Sequence, residues 1–343
     1  MKILVTGNRG YIGSVLVPML EARGHEVVGY DIGYYDDVTL PAIPEPTRQI
    51  TKDTRDVVRE DLKSIDAVIH LAALSNDPLG ELAPWLTEEI NRDASIRLGT
   101  LAKEAGVKRF VYASSQSMYG VADSNIEVEE TTGDAKNAIT TYARTKWEAE
   151  VALKGLGSKE FVVVCMRPST VFGASPRLRS DIVFNNLVGC AYTTGKIEIK
   201  SDGSPWRPVV HVRDAASAFI AGLEAPAALV ANESFNVGIP DGNFTVRDLA
   251  EAAQRAVPGS TLTFTHENKD SRSYRVSFKK ILSVLTDYYK PEWDLDKGGK
   301  ELVEFYKKIG FTENMFRGRD TNRLKQVQYL REQNRIDEKL RMK

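Results

Sequence analysis

The sequence predicts an α/β fold in which a doubly wound parallel sheet is followed by a smaller C-terminal cap. Over the first 170 residues, short apolar runs alternate with longer amphipathic stretches. A glycine-rich turn follows the first apolar run, at the point where an open α/β sheet begins its first helix. The chain has 343 residues, 42% of them hydrophobic, which is enough for one large domain or two closely packed ones.

The predicted strands of the first half are continuously apolar, as in a parallel sheet that is buried on both faces. They are Ile3–Val5, Val27–Tyr30, Ala67–Leu71, Phe110–Ala113 and Phe161–Met166. Amphipathic spacing predicts the helices between them. These helices are Tyr11–Arg23, Pro84–Ala105 and Ile139–Leu156.

The pattern becomes less regular after residue 170. Polar loops separate shorter runs there, and one clear helix is predicted over Asp214–Leu223. We expect residues 1–170 to form mainly the sheet domain and residues 171–318 to form mainly a cap, with returns to the sheet. Residues 319–343 are densely charged and carry apolar residues at helical intervals, which predicts a solvated terminal helix.

Charge and composition exclude several classes of function. The 46 basic and 47 acidic residues leave a formal net charge of -1, so no global field attracts nucleic acid or an anionic membrane. Cys165 and Cys190 are expected to be packing residues in a reducing compartment. The four histidines never fall at paired ligand spacings, so we expect no protein-ligated metal. Without a signal-like or membrane-spanning apolar run, the expectation is a soluble cytoplasmic protein.

The turn from Thr6 to Gly13 carries glycines at 7, 10 and 13. At this spacing, backbone amides and a helix N-terminus can hold the pyrophosphate of a dinucleotide, although three glycines alone fit a plain tight turn equally well. Asp31 follows 18 residues after Gly13 and ends the second strand, where a carboxylate accepts hydrogen bonds from the adenosine ribose. Together these residues predict a dinucleotide site and favour NAD over NADP.

Two side chains near this turn leave alternatives open. Arg9 lies inside the loop, and its guanidinium can pair with the 2'-phosphate of NADP if Asp31 turns away. Asp53 lies near the end of a further strand region, between Val27–Tyr30 and Ala67–Leu71, where its carboxylate either accepts from the adenine amino group or caps the turn before Arg55. The remaining cofactor candidates in the loop are Gly7, Asn8, Gly10, Tyr11, Ile12 and Gly13.

Tyr142 and Lys146 lie four residues apart on a predicted helix, so both project from one face. A tyrosine with a pKa of about 10 needs a neighbouring cation to act as a base near neutral pH, and Lys146 can reach it. A surface pair is the alternative at this spacing. Ser115 follows the strand Phe110–Ala113 at the carboxyl edge of the sheet, where ligands bind. Its hydroxyl either holds a substrate oxygen or caps the strand end.

These motifs resemble the extended short-chain dehydrogenase/reductase family, in particular its nucleotide-sugar epimerases, dehydratases and reductases, over nearly the whole chain. The other matching segments are 70–73, Asn91, 114–120, 167–173, 207–214 and 235–238. The resemblance implies a Rossmann domain in residues 1–170, a homodimer, and NAD as the cofactor. It adds Leu71, Ala72, Ala73, Asn91 and Lys146 to the cofactor site.

The resemblance also implies a mechanism. Tyr142 removes the proton of a sugar hydroxyl, usually at carbon 4, while hydride passes to the nicotinamide, Lys146 orients the ribose and Ser115 holds the reacting oxygen. The family's 4,6-dehydratases carry an Asp-Glu pair directly after the catalytic hydroxyl residue. Gln116 and Ser117 stand there instead, and neither side chain is an acid or base near neutral pH, so water elimination is disfavoured.

The resemblance implies that Arg207 and Arg272 bind the diphosphate of the substrate. Guanidiniums suit this role because their planar fork of N–H groups can bind two phosphate oxygens. The alternative for each arginine is an ion pair at the surface. Residues 175–181 resemble a subgroup that acts on modified sugars such as GDP-heptoses. Arg177 and Arg179 would then bind a carboxylate or phosphate, unless this loop is simply solvated. The other substrate-binding candidates are Ser115, Gln116, Thr170 and Asn185.

The expected function is therefore an NAD-dependent nucleotide-sugar epimerase. One alternative is net redox chemistry by a nucleotide-sugar dehydrogenase or 4-ketoreductase, or by a reductase of sugars, steroids or flavonoid-like alcohols. Another is an NAD-binding regulatory protein without catalysis, which the presence of both Tyr142 and Lys146 disfavours.

Overall fold

The structure is a computed structural model that describes residues 1–38, 40–41, 45–120, 125–132, 138–265 and 273–343. Its strands are β1 (Lys2–Thr6), β2 (Glu26–Asp31), β3 (Arg48–Thr51), β4 (Ala67–His70), β5 (Arg109–Ala113), β6 (Glu127–Val128), β7 (Val162–Pro168), β8 (Thr170–Phe172), β9 (Lys196–Ile199), β10 (Trp206–His211), β11 (Ser234–Val237), β12 (Asn243–Thr245), β13 (Thr261–Phe264) and β14 (Arg275–Val276). Its α-helices are α1 (Gly13–Ala22), α2 (Asp77–Gly80), α3 (Pro84–Thr87), α4 (Ala94–Glu104), α5 (Thr141–Gly155), α6 (Val183–Thr194), α7 (Val212–Glu224), α8 (Ala227–Val230), α9 (Val246–Ala256), α10 (Lys279–Val284), α11 (Leu295–Lys308), α12 (Glu313–Arg317) and α13 (Arg323–Glu332). None of these described helices is long and apolar enough to cross a bilayer.

A parallel sheet, of seven strands in the described part of the chain, forms the centre of the molecule. Its order is β11-β7-β5-β4-β1-β2-β3, so the chain winds outwards in both directions from the β1–β4 pair. This confirms the predicted doubly wound sheet, and each predicted strand of the first half lies in it. The order reverses between β1 and β4, and an open sheet forms a ligand-binding crevice beyond the carboxyl ends of the strands at such a point.

Helices cover both faces of this sheet, which explains why its strands are apolar throughout. On one face, Leu16 of α1 and Phe219 of α7 belong to the same buried cluster as Val5 of β1. On the other, Leu153 of α5 packs in the cluster that includes Leu4 of β1. Each such buried side chain stabilises the fold by roughly 1.5–3 kcal/mol relative to an exposed one.

The helix predicted over Pro84–Ala105 has a more complex form. It consists of α3, a π-helical turn at Glu88–Asp93 and α4 in direct succession. A π-turn adds a residue to the helical repeat and is frequent at functional sites. Here the turn contains Asn91, which is fully buried.

The second half of the chain builds a separate core and also returns to the sheet. Phe184 of α6, Leu249 of α9 and Leu302 of α11 form this second core, beside the small sheet β12-β10-β8. Strand β11 pairs with β7 in the main sheet. Cys165 is buried in β7 and Cys190 is partly buried in α6, both as free thiols, which confirms that they are packing residues.

The C-terminal segment, residues 319–343, packs against the sheet domain, so the prediction of a solvated terminal helix is wrong. Val327 and Leu330 of α13, followed by Ile336 and Leu340, are at most 3% exposed. The physical reason is that the carboxyl edge of the sheet presents apolar side chains that need a cover. The side chains in this cluster are Tyr34, Leu74, Leu79, Leu86 and Ile90.

Candidate active site

A cavity of about 840 Å³ lies at the carboxyl ends of β1, β4 and β5. Its wall combines the glycine loop, the residues that follow β4 and β5, the first turns of α5, part of the 168–183 region and the start of α13. Apolar cavities of this size with a few convergent polar groups are the usual form of small-molecule sites. The position at the sheet's reversal point makes it the candidate active site.

The glycine loop packs so tightly that side chains are excluded from it. Gly7 has a φ of +70°, and a Cβ built there would lie 2.8 Å from the backbone nitrogen of Ala72. A Cβ at Gly13 would lie 2.3 Å from the carbonyl oxygen of Gly7. Glycines therefore leave the backbone uncovered on the cavity wall, where Gly7, Gly10, Tyr11, Ile12 and Gly13 all lie.

Asp31 lies on the cavity wall, whereas Asn8 and Arg9 do not. The Asp31 carboxylate accepts from the backbone N–H groups of Gly33, at 2.8 Å, and Arg9, at 3.3 Å. Burial raises the pKa of Asp31, and these two hydrogen bonds act in the opposite direction. The Arg9 guanidinium is held by Asp36 and Glu45 at 2.8 and 2.9 Å, which weakens the NADP alternative. The Asn8 side chain is buried against Gln49.

Asp53 both caps a turn and lies on the cavity wall. Its carboxylate accepts from the backbone N–H of Arg55 at 2.8 Å and from the Arg55 guanidinium at 2.6 Å. The structure thus confirms the capping alternative. The contact with adenine stays a prediction.

Leu71, Ala72 and Ala73 line the cavity, but Asn91 does not. The Asn91 side chain accepts from the backbone N–H of Leu74 at 2.8 Å and donates to its carbonyl at 3.1 Å. Because both polar ends of the amide are used in this way, Asn91 holds the loop after β4 in place. The structure therefore corrects the expected contact of Asn91 with the cofactor, because this side chain supports the loop instead.

Ser115, which follows β5, comes together on the cavity wall with Tyr142 and Lys146 of α5. The Ser115 hydroxyl donates to the hydroxyl of Ser117 at 3.1 Å and accepts from the backbone N–H of Ser117 at 3.1 Å. One turn further along α5, the Lys146 Nζ donates to the carbonyl of Ala113 at 2.8 Å and lies 5.0 Å from the ring centre of Tyr112. The helix therefore presents both side chains to the end of β5.

Burial shifts the pKa of both groups on α5. It raises the pKa of Tyr142, while the nearby Ser115 hydroxyl and the positive charge of Arg179 act to lower it. Burial lowers the pKa of Lys146 to about 7. Near neutral pH, a large fraction of Lys146 is therefore still an ammonium, the form that stabilises a neighbouring phenolate.

Gln116 is held on the cavity wall by its amide nitrogen. Its Nε2 donates to the carbonyls of Arg167, at 2.9 Å, and Val237, at 3.3 Å. Its Oε1 is buried and has no hydrogen-bond partner among the described residues. This acceptor therefore lacks the hydrogen bond that buried polar groups normally make.

The predicted substrate-binding residues separate into two groups. Thr170, Arg179 and Arg207 line the cavity, and Arg272 lies outside the described residues. Arg179 forms a bidentate pair with Asp181, at 3.0 and 2.9 Å. The alternative of a simply solvated loop is wrong, because Arg179 is 9% exposed.

Arg177 and Asn185 do not line the cavity, which corrects their expected contact with substrate. Asn185 is fully buried, and its amide bonds to the backbone N–H of Gly173, the hydroxyl of Tyr11 and the carbonyl of Arg179, at 2.9, 3.1 and 2.9 Å. Arg177 is buried and pairs with Asp36 at 3.0 Å. Both side chains hold the 173–179 loop against the sheet domain.

A family model decides the classification. The model of the NAD dependent epimerase/dehydratase family matches residues 3–238. The chain belongs to this NAD dependent epimerase/dehydratase family. NAD is accordingly its cofactor.

Relatives within this epimerase/dehydratase family cover most of the chain. A UDP-glucose 4-epimerase of Mycolicibacterium smegmatis is 29% identical over 322 residues, which is 90% of this chain and 99% of the relative. A 3-beta-hydroxysteroid dehydrogenase of Mycolicibacterium neoaurum is 29% identical over 221 residues, 61% of this chain and only 59% of that enzyme. The solved structure of MoeE5 in complex with UDP-glucose and NAD has a TM-score of 0.75 at 26% identity, covering 90% of this chain and 99% of MoeE5.

The epimerase/dehydratase cavity of this chain fits NAD. Gly7 and Gly13 let the loop turn tightly at the cavity wall, and a tight glycine turn before a helix suits a diphosphate. The residues that would hold the rest of the dinucleotide are Asp31, Leu71, Ala72, Ala73 and Lys146.

Sequence reasoning missed a buried ion pair that supports this epimerase/dehydratase site. The Glu150 carboxylate, one turn beyond Lys146 on α5, pairs with Arg167 at 2.6 Å and accepts from the hydroxyls of Ser114 and Ser234. It ties α5 to the ends of β5 and β7 and to the first residue of β11. The spacing was a usable signal, since a glutamate four residues after Lys146 must face the sheet as well.

Three further wall residues were missed, and no local signal marks them. They are Asn322, Arg323 and Leu324, at the start of α13. They reach the cavity only because the C-terminal segment folds back across the sheet edge.

Proposed function

We propose that the chain is an NAD-dependent nucleotide-sugar epimerase that transiently oxidises a sugar hydroxyl, at carbon 4. The observation that carries this proposal is that Tyr142, Ser115 and Lys146 lie together on the cavity wall. A base, a donor to the reacting oxygen and a cation near the base are what proton abstraction from an alcohol requires. Membership of the epimerase/dehydratase family supports the same chemistry.

Two observations favour a nucleotide sugar over a smaller alcohol. The cavity, of about 840 Å³, extends well beyond Tyr142, and the guanidiniums of Arg179 and Arg207 lie on its wall. Guanidiniums bind diphosphates through paired hydrogen bonds. The UDP-glucose in the MoeE5 structure and the name of the M. smegmatis relative support a substrate of this class.

In the proposed reaction, the Tyr142 phenolate takes the hydroxyl proton and Ser115 donates a hydrogen bond to the same oxygen. NAD, when bound, supplies the hydride acceptor for the carbon being oxidised and the hydride donor for its reduction. The keto-sugar turns over between the two transfers and receives hydride on its other face, and Tyr142 then returns the proton, so that the carbon is inverted while the sugar is neither oxidised nor reduced overall. Lys146 stabilises the phenolate as an ammonium, against the effect of burial on Tyr142.

The residues after Ser115 support epimerisation without loss of water. Elimination requires an acid and a base beside the sugar. Gln116 and Ser117 line the cavity at that position, and the amide nitrogen of Gln116 is engaged by two backbone carbonyls. An amide such as that of Gln116 cannot exchange a proton with a sugar hydroxyl.

Net oxidation or reduction is the second candidate, and the steroid dehydrogenase relative favours it. The same Tyr142, Ser115 and Lys146 would serve a dehydrogenase or 4-ketoreductase. The two candidates differ in whether the hydride leaves with the cofactor or returns to the sugar.

The test is to mix the purified protein with NAD and a panel of UDP-, dTDP- and GDP-sugars. Nuclear magnetic resonance detects new epimers, and absorbance detects NADH. We expect an epimer without net NADH. Steady accumulation of NADH would identify a dehydrogenase, and the absence of both reaction and binding would show that the proposed function is wrong.

Tyr142→Phe tests the mechanism in the same assay. We expect kcat to fall by roughly 10²- to 10⁴-fold, because the general base is lost, while NAD affinity is retained. Tyr288→Phe, at an exposed tyrosine outside the cavity, is the matched control. Full activity of Tyr142→Phe would contradict the assigned role.

A further inference from the structure

The C-terminal segment places a buried arginine on the cavity wall. Arg323 begins α13 and is 2% exposed. Its Nη2 donates to the carbonyl of Arg177 at 2.6 Å, and its guanidinium lies 4.2 Å from the ring centre of Tyr35. Its Nη1 is buried and has no hydrogen-bond partner in the part of the chain that the structure describes. A strong donor is thus left unused beside the ligand cavity.

The carboxylates nearby pair with other arginines. Asp181 holds Arg179 through two hydrogen bonds, and Asp36 holds Arg177. Among the described residues, Arg323 forms no ion pair within 4 Å. Two further guanidinium atoms, Nε and Nη1 of Arg177, also lack partners there. This cluster therefore contains three buried guanidinium nitrogens without a hydrogen-bond partner in the described part of the chain.

The environment of Arg323 disfavours its charge. Burial lowers its pKa to about 10, and the positive charges of Arg179 and Arg177 act in the same direction, while Tyr35 and Asp181 oppose them. A buried charge without a partner destabilises a fold, and proteins normally supply a counter-ion. Because Arg323 lines the cavity, a ligand can supply that counter-ion.

We propose that Arg323 binds a phosphate oxygen of a ligand in this cavity, so that the C-terminal segment is part of the binding site. This inference rests on the proposed function, since NAD and a nucleotide sugar each bring a diphosphate to the cavity. A guanidinium suits a phosphate because its N–H groups form a planar fork. The start of the ten-residue helix α13 lies on the wall at the same place, and its dipole also favours an anion.

Arg323→Met removes the charge and keeps much of the side chain's apolar volume. Arg331→Met, at an exposed arginine of the same helix, is the matched control. Calorimetry measures Kd for NAD, and then Kd for UDP, dTDP and GDP with NAD present. We expect Arg323→Met to weaken either NAD or the nucleoside diphosphates by at least about tenfold, with the control unchanged. The ligand that is weakened identifies the source of the phosphate.

The Tm measured without ligand shows whether Arg323 acts in ligand binding or in stabilising the fold. If Arg323 awaits a ligand, Arg323→Met melts at the wild-type Tm or above it, because an unpaired buried charge has been removed. Arg323→Lys should bind with intermediate affinity, because it keeps the charge and loses the fork. Wild-type affinity of Arg323→Met for all four ligands would overturn the inference, as would weaker binding together with a clearly lower Tm.

The proposed function can be refuted independently of the role of Arg323. A wild-type protein that binds NAD but no nucleoside diphosphate or nucleotide sugar would refute the nucleotide-sugar substrate. The role of Arg323 would then be decided by the NAD titration alone, in which equal affinities of wild type and Arg323→Met overturn it.

Discussion

The glycine loop, residues 6–13, and the C-terminal segment line the same cavity but are held there by different means. The loop is closed by short-range backbone bonds, such as that from the N–H of Gly10 to the carbonyl of Gly7 at 2.9 Å. The C-terminal segment is held by contacts with residues far away in sequence: the side chain of Gln326 donates to the carbonyl of Tyr34, 292 positions earlier, at 2.8 Å. One half of the site is thus a local motif, and the other half is a product of tertiary packing.

This difference decides what each region depends on. The loop depends on the absence of side chains at a few positions, so its failure should appear first in ligand affinity. The C-terminal segment depends on a buried apolar face, so its failure should appear first in the free energy of unfolding. Substitutions in each region test whether the loop acts on ligand affinity and the C-terminal segment on the free energy of unfolding.

The largest effect is expected for Leu330→Ala in α13. Leu330 is 1% exposed and packs in the cluster with Tyr34 and Leu74. Truncating a buried leucine leaves a cavity, so we expect a loss of roughly 2–5 kcal/mol in the free energy of unfolding, measured by urea denaturation. Leu229→Ala, at a leucine that is 37% exposed, should lose far less. Equal stability of Leu330→Ala and wild type would mean that the segment is not docked.

Gly13→Ala should have the next largest effect, on cofactor affinity. The added Cβ would lie 2.3 Å from the carbonyl oxygen of Gly7 and 2.6 Å from Cα of Asn8, and backbone atoms cannot move aside cheaply. We expect NAD affinity, measured by calorimetry, to fall roughly 10- to 100-fold. The control is Gly155→Ala, whose Cβ would meet no described atom within 4 Å. Wild-type affinity of Gly13→Ala would refute the loop's role.

The sheet and the central part of the site could be predicted because they depend on neighbouring residues in the sequence. Strands and helices follow from the spacing of apolar residues, and the glycine loop follows from three positions in one turn. Tyr142 and Lys146 share a helix face at a spacing that is visible in the sequence, and Ser115 follows directly from the end of a predicted strand. The structure brings all three together on the cavity wall.

The outer parts of the site could not be predicted in this way. Asn91 and Asn185 are amides near the cavity, but each uses its polar atoms to hold a backbone segment. An amide that binds a loop and one that binds a ligand look the same in a sequence, and only tertiary contacts distinguish them. For the same reason, Arg323 could not be separated from the other arginines of the charged C-terminal segment.

The smallest effect is expected for Asp37→Asn, at the polar edge of the docked segment. The Asp37 carboxylate accepts from Gln326 at 2.7 Å, Arg335 at 2.8 Å and Arg319 at 3.1 Å. Partial burial acts to raise the pKa of Asp37. The hydrogen bonds from Arg319, Arg335 and Gln326 and the positive charge of Arg319 act in the opposite direction, and the net effect is a lowered pKa. Because these partners are partly exposed, we expect the variant to lose no more than about 1 kcal/mol at neutral pH.

The pH dependence of this loss tests the assignment to Asp37. A carboxyl whose pKa is lower in the folded state stabilises the fold above its unfolded pKa, about 3.9, and this contribution disappears as the pH falls through the folded pKa. The Tm difference between wild type and Asp37→Asn should therefore shrink below about pH 4, and high salt should reduce it at pH 7. Asp287→Asn, at an exposed aspartate, is the control. A difference that is constant across the acidic range would mean that Asp37 acts through packing, and the C-terminal segment would then be held by its apolar face alone.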